Sequence, residues 1–255
     1  MTARTLATSL TGARMDADRR VAFYTGVLFV ITFITSIPAL LLFDPVINTP
    51  DYIVGAGDDN RIFLGALLEL TLIIANIGSA LVPFAILKRQ SERLALGFVA
   101  ARVMESVFIA VGILSVLAVV ALRQDFAGAG GAEADSLIIA GQSLVAIKDL
   151  TFLLGPGFVV GIGNGIILGY LMYRSGLVPR GMAMLGLVGG PLLCVAGIAV
   201  MFDVIALGAH WQFLASIPEI LWEGSLGIWL IARGFNASSR VLSSLAIAPQ
   251  GLAAD

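Results

Sequence analysis

This sequence reads as an all-α polytopic membrane bundle of six transmembrane helices with both termini cytoplasmic. The expectation rests on composition, on segment length and on the placement of basic residues. Of the 255 residues 58% are hydrophobic and only 13% charged, and the mean hydropathy is +0.98. Soluble domains carry about 25% charged residues, and one core of this size could not hide so much apolar surface. Six stretches reach the roughly 20 predominantly apolar residues that a helix needs to cross the hydrocarbon layer. They lie at 22–43, 62–87, 94–122, 150–173, 182–207 and 213–233.

The first stretch follows Arg14, Arg19 and Arg20 and runs charge-free from Val21 to Phe43. It is longer than the ~7–15 residues of a signal-peptide core and lacks a small-residue cleavage site, so it reads as a retained span that sets orientation. The second carries Glu69, and the third carries Arg102 and Glu105. The fourth and fifth are the cleanest, since Leu150–Tyr173 and Gly181–Phe202 hold no charge. The sixth contains Glu219 and Glu223. Short basic turns, Lys88–Arg93 and Arg174–Gly181, join spans on one side, the latter turned by Gly176 and Pro179. Longer connections, Asp44–Arg61 and Arg123–Asp149, lie on the other. Within the second of these, Ser136–Lys148 has one apolar face and reads either as a short interfacial helix or as an extension of the fourth span.

Basic residues test the topology. The termini and short turns hold Arg4, Arg14, Arg19, Arg20, Lys88, Arg89, Arg93, Arg174, Arg180, Arg233 and Arg240, while the opposite side holds only Arg61, Arg123 and Lys148. This alternation expects an inner (plasma) membrane protein with both ends in the cytoplasm. The division is then a cytoplasmic tail at 1–20, a transmembrane domain at 21–235 and a disordered cytoplasmic tail at 236–255.

Charges inside hydrocarbon cost roughly 2.5–3.5 kcal/mol each on insertion scales and are functional candidates. Glu69, Asn76, Arg102, Glu105, Asn164, Glu219 and Glu223 are the candidate ligand-binding or ion-pathway residues. Arg102 and Glu105 share a face at i, i+3, Glu219 and Glu223 at i, i+4, and Glu69 and Asn76 at i, i+7. The second, third and sixth spans are therefore expected to face one another around one base and four acids. The same residues could instead be ion pairs that fix helix neighbours. Acids outnumber the one base, which favours a proton, a cation or a cationic group as guest. Pro218, just before Glu219, marks that segment as the most promising broken helix, the other reading being a harmless kink near a helix end. Gly161, Gly165 and Gly169, with Gly186 and Gly190, form small-residue faces for close helix packing.

A single cysteine, Cys194, and a single histidine, His210, exclude a disulfide within the chain and any multi-ligand Cys or His metal centre. No catalytic or nucleotide motif is present, so neither catalytic residues nor cofactors are expected, and nucleic acid is excluded by the net charge of −2 and the lack of a basic cluster. The expected partners are the lipid bilayer, a small cationic or lipid ligand, and a second copy or another membrane protein. A small transporter or solute- or lipid-binding bundle and a structural or regulatory subunit are the two leading functions; a membrane enzyme acting on lipid would need a nucleophile or metal site that the sequence does not display.

Three segments carry a family resemblance. Lys88–Glu105 (KRQSERLALGFVAARVME), Gly169–Pro179 (GYLMYRSGLVP) followed by Arg180, and Pro218-Glu-Ile-Leu-Trp-Glu223 followed by Gly-Ile-Trp-Leu resemble an uncharacterised bacterial membrane family, domain of unknown function 4386. The resemblance covers about residues 20–235 and implies a multi-pass membrane protein without an established activity. That family often has a histidine before the fourth span, where this chain has Lys148-Asp149.

Overall fold

The computed structural model describes residues 3–49, 52–54, 58–126 and 130–243, with side chains from Asp16 onward. Among them it is all-helical: α1 (Ala3–Asn48), α2 (Asp59–Leu87), α3 (Glu92–Phe126), α4 (Ala132–Ser175), α5 (Arg180–Met201), α6 (His210–Ala232) and the single turn α7 (Arg240–Ser243). The first six are long and apolar enough to cross a membrane. Most of the expected tail at 236–255 lies outside the described residues.

The six long helices form a closed ring in chain order. Each packs mainly on its sequence neighbours, and α6 returns to α1. Short connections make this the simplest arrangement, because consecutive antiparallel helices bury their facing stripes at once. Large apolar side chains cover the outside, among them Leu41, Ile74, Leu114, Val195 and Ile228. Polar side chains turn inward: Asn76, Ser79, Arg102, Glu105, Asn164 and Glu219 are buried. That inversion of the soluble pattern suits a lipid solvent, where every polar group needs an internal partner.

One open alternative is decided here and one expectation changes. Residues 136–148 take the second of their two readings, an extension of the fourth span: they are opening turns of α4, which runs unbroken into the span. Lys148 explains why: Glu69 draws it into the bundle, so the helix carrying it must continue inward. The second, third and sixth spans also do not all pack on one another. Ring order places α1 between α2 and α6, and α4 and α5 between α3 and α6.

The helix ends sort onto two faces. On one, Arg19 donates to the carbonyls of Leu230 and Ile231, capping the C-terminus of α6 with a cation where the helix dipole favours it. Gly234, at φ +75°, completes that contact, because a Cβ there would lie 3.0 Å from Arg19 Cδ. Arg89 approaches Asp18 on the same face at 3.8 Å, and Asn236 ties α6 to the α4–α5 turn by donating to Gly176 and Leu177 carbonyls. On the other face Arg123 pairs with Asp59 at 2.6 Å, and Tyr52 also donates to Asp59. Burial, with the Asp59 charge beside it, pushes the Tyr52 phenol up to about 12.

The α4 backbone is unusual. Over Leu153–Val159 and Gly161–Leu168 its turns widen to π-helical spacing. Val160 N–H reaches back five residues to the Gly155 carbonyl, and Gly169 N–H to that of Asn164. Pro156 has no N–H to give, and Gly155, Gly157, Gly161, Gly163 and Gly165 offer no side chains to resist the change. Irregular backbone therefore lies in α4, while α6 stays helical through Pro218, in line with the milder of the two readings of that proline.

Candidate intramembrane polar site

Arg102 anchors the interior. It is 2% exposed, and its Nη1 lies 2.7 Å from Glu105 Oε2 one turn along α3. Its Nε donates to Ser79 of α2 at 3.2 Å, and Asn76, one turn away, donates to Glu105 Oε1 at 2.9 Å. The guanidinium also stands 5.3 Å over the Phe29 ring of α1. Charge, hydrogen bonds and a π face thus hold the arginine from three helices.

A second group faces it from α4 and α6. Asn164 Nδ2 donates to Glu223 Oε1, and the Asn164 carbonyl accepts the Trp222 indole N–H at 3.0 Å. In the widened turn the same carbonyl also accepts the Gly169 N–H five residues on, so it serves two donors. Glu219, one turn before Glu223, is 3% exposed, and neither of its carboxyl oxygens has a hydrogen-bond partner. Glycine lets it in: a Cβ on Gly165 would lie 2.7 Å from Glu219 Oε2, and one on Gly189 would lie 2.6 Å from the Glu219 nitrogen. Close packing sets the two groups on adjoining helix faces: a Cβ on Gly163, beside Asn164, would stand 2.7 Å from the Cβ of Ala101, beside Arg102.

Glu69 lies apart from this centre. Its carboxylate takes Lys148 Nζ at 2.7 and 2.9 Å, beneath the Phe43 ring at 4.7 Å. Gly112 makes room, because a Cβ there would stand 3.1 Å from Lys148 Nζ. Of the seven expected residues, Asn76, Arg102 and Glu105 form one bonded group, Asn164 and Glu223 a second with Glu219 one turn away, and Glu69 pairs elsewhere. Sequence reading missed Lys148, Ser79 and Trp222. Ser79 was findable, three residues after Asn76 on the same face; Lys148 was masked by its position at the edge of the apolar run.

The glycine faces meet each other inside the chain. Gly190 of α5 sits against Gly161 and Gly165 of α4, Gly169 meets the Leu187 backbone, and Gly186 receives the Trp222 indole. No cluster of three or more His, Cys, Asp or Glu side chains spaced for a metal ion occurs among the described residues.

Residues 24–234 match the family model described as Domain of unknown function (DUF4386). The chain belongs to this family. No curated protein and no solved structure matches it. Membership accords with a multi-pass membrane protein in contact with the bilayer, and this DUF4386 chain places its inward polar residues on α2, α3, α4 and α6.

Proposed function

We propose that this protein is a small transporter or solute-binding bundle whose working group is Glu219, with Glu223 and Arg102 beside it. The observation that carries the reading is a buried carboxyl with both oxygens unpartnered. Among the other inward polar groups Asn76 Oδ1 and Asn164 Oδ1 also lack partners, as does the donor Arg102 Nη2. A site with surplus acceptors and a net surplus of carboxyl groups takes a proton, a metal cation or a small ammonium group. The π-helical stretch of α4 supports this, since widened turns accompany functional sites and supply the bifurcated Asn164 carbonyl.

The test is proton uptake and cation-dependent melting of the detergent-solubilised protein, with Glu219→Gln against wild type. Wild type shows a cation- or pH-dependent midpoint, and Glu219→Gln loses that dependence while keeping its helical circular dichroism. An unchanged response in the variant defeats the reading. A second reading, a structural or regulatory subunit, draws on the closed Ser79–Arg102–Glu105–Asn76 network, which reads as an internal fastener. It predicts that Glu219→Gln is silent and Glu105→Gln unfolds the protein. We further propose that the face with Arg19, Arg89 and Arg180 is cytoplasmic, on the basic-residue bias, in the inner (plasma) membrane.

A further inference from the structure

At the basic face, where α4 turns into α5 and the chain returns after α6, lies a cleft of about 290 Å³. It is lined by Ser175, Gly176, Arg180, Ser238, Ser239 and Arg240 together with small and apolar neighbours, and no acidic side chain lines it among the described residues. We propose that this cleft binds a phosphate group. It is separate from the intramembrane site, and its occupancy does not depend on the role of Glu219.

Four features converge. Arg180 and Arg240 are both exposed guanidinium groups from different parts of the chain, which suits a tetrahedral anion better than a single charge would. Arg180 is steadied over the Tyr173 ring at 5.8 Å. It also opens the 22-residue α5, whose Met182 and Ala183 N–H groups both go to the Pro179 carbonyl. Helix geometry then leaves the N–H groups of Arg180 and Gly181 at the free end, where the helix dipole favours an anion. The fourth feature is Ser239. It is 4% exposed, it lines the cleft, and its hydroxyl has no hydrogen-bond partner. A buried hydroxyl is rarely left without an acceptor, and a phosphate oxygen would supply one. The backbone around it is fixed, with Ser239 N–H on the Asn236 carbonyl and Asn236 in turn on Gly176 and Leu177.

The phosphate has two sources, a free anion or the headgroup of an anionic phospholipid. Both are tested on the full chain. In neutral detergent, inorganic phosphate is titrated calorimetrically at constant ionic strength in chloride. In parallel, melting is compared in phosphatidylcholine nanodiscs with and without phosphatidylglycerol. A saturable phosphate isotherm that weakens by about tenfold or more in Arg180→Gln/Arg240→Gln, the scale of one lost charge-assisted bond, establishes a free-phosphate site. No isotherm, but a phosphatidylglycerol-dependent rise in melting that the double variant lacks, establishes a headgroup site. Ser239→Ala guards against misfolding, because its hydroxyl has no partner to lose. It should melt like wild type in chloride and bind the effective probe severalfold more weakly. Wild-type binding by Ser239→Ala, or equal behaviour of wild type and double variant toward both probes, overturns the proposal.

Discussion

Lys148 and Glu69 show what a single buried pair does in this bundle. Lys148 is 5% exposed and meets both oxygens of one carboxylate under an aromatic ring. Removing one partner leaves the other charge stranded, which typically costs about 3–5 kcal/mol, whereas replacing both with apolar residues of similar volume is often neutral. Lys148→Met should therefore lower the melting midpoint sharply in detergent, and Lys148→Met/Glu69→Leu should recover most of the loss. Additive loss in the double variant would mean that the two residues stabilise independently. This pair also marks where sequence stops being legible at the residue scale. Glu69 announced itself as an acid in an apolar run, but its partner lay 79 positions away at a span edge, where a lysine reads equally well as an interfacial charge. The Arg102–Glu105 pair was legible because one helical turn joins its members.

Among the elements, α4 departs furthest from what its residues announce. Its charge-free run and glycine spacing were readable, and the close face they imply is the seam with α5. What was not readable is the π-helical backbone, because widened turns are selected by tertiary partners. Trp222 takes the Asn164 carbonyl, Glu223 takes its amide, and Gly190 presses against Gly165. Pro218 stays inside a continuous helix for the same reason: a proline frees a carbonyl anywhere, but only packing decides whether the helix yields. The seam predicts a sharp contrast between glycines. Gly165→Leu would drive a side chain into Glu219 and into the α5 backbone at Gly190; the Glu219 carboxyl can swing aside, but the backbone cannot. Overpacking of this kind costs about 1–3 kcal/mol or more. Gly97→Ala on α3 meets only Ile167 Cδ1 at an ordinary 3.6 Å and should be tolerated. The measurement is the folded fraction after detergent extraction, and a fully folded Gly165→Leu would show that the seam is looser than its distances.

For the whole molecule, ring closure explains why polar groups on helices that are not ring neighbours still meet: Asn164 of α4 reaches Glu223 of α6, and Lys148 of α4 reaches Glu69 of α2. In a ring of antiparallel helices the inward stripes face across it, so α4 can bond to both α2 and α6 while α1 supplies Phe29 to Arg102 of α3. Sequence periodicity places residues on a face but carries no information about ring order, which depends on which stripes are complementary; the expected trio of neighbours failed on that point. The number of spans, by contrast, follows from length and hydropathy alone. The two faces then become a statement about orientation. Arg19, Arg89, Arg180 and Arg240 gather on the face where Arg19 caps α6. The other face has Arg123 engaged with Asp59. With Lys148 inside the bundle, the outer connections keep only Arg61 and Arg123 of the basic residues first assigned to them, so the bias that sets insertion is steeper than the sequence count. A fluorescent reporter that matures only in the cytoplasm should therefore light up at either terminus. An alkaline phosphatase fusion at Gly130, beyond α3, should be active, and one in the Lys88–Arg93 turn inactive. The reverse pattern would invert the bundle and move the phosphate cleft to the outer surface.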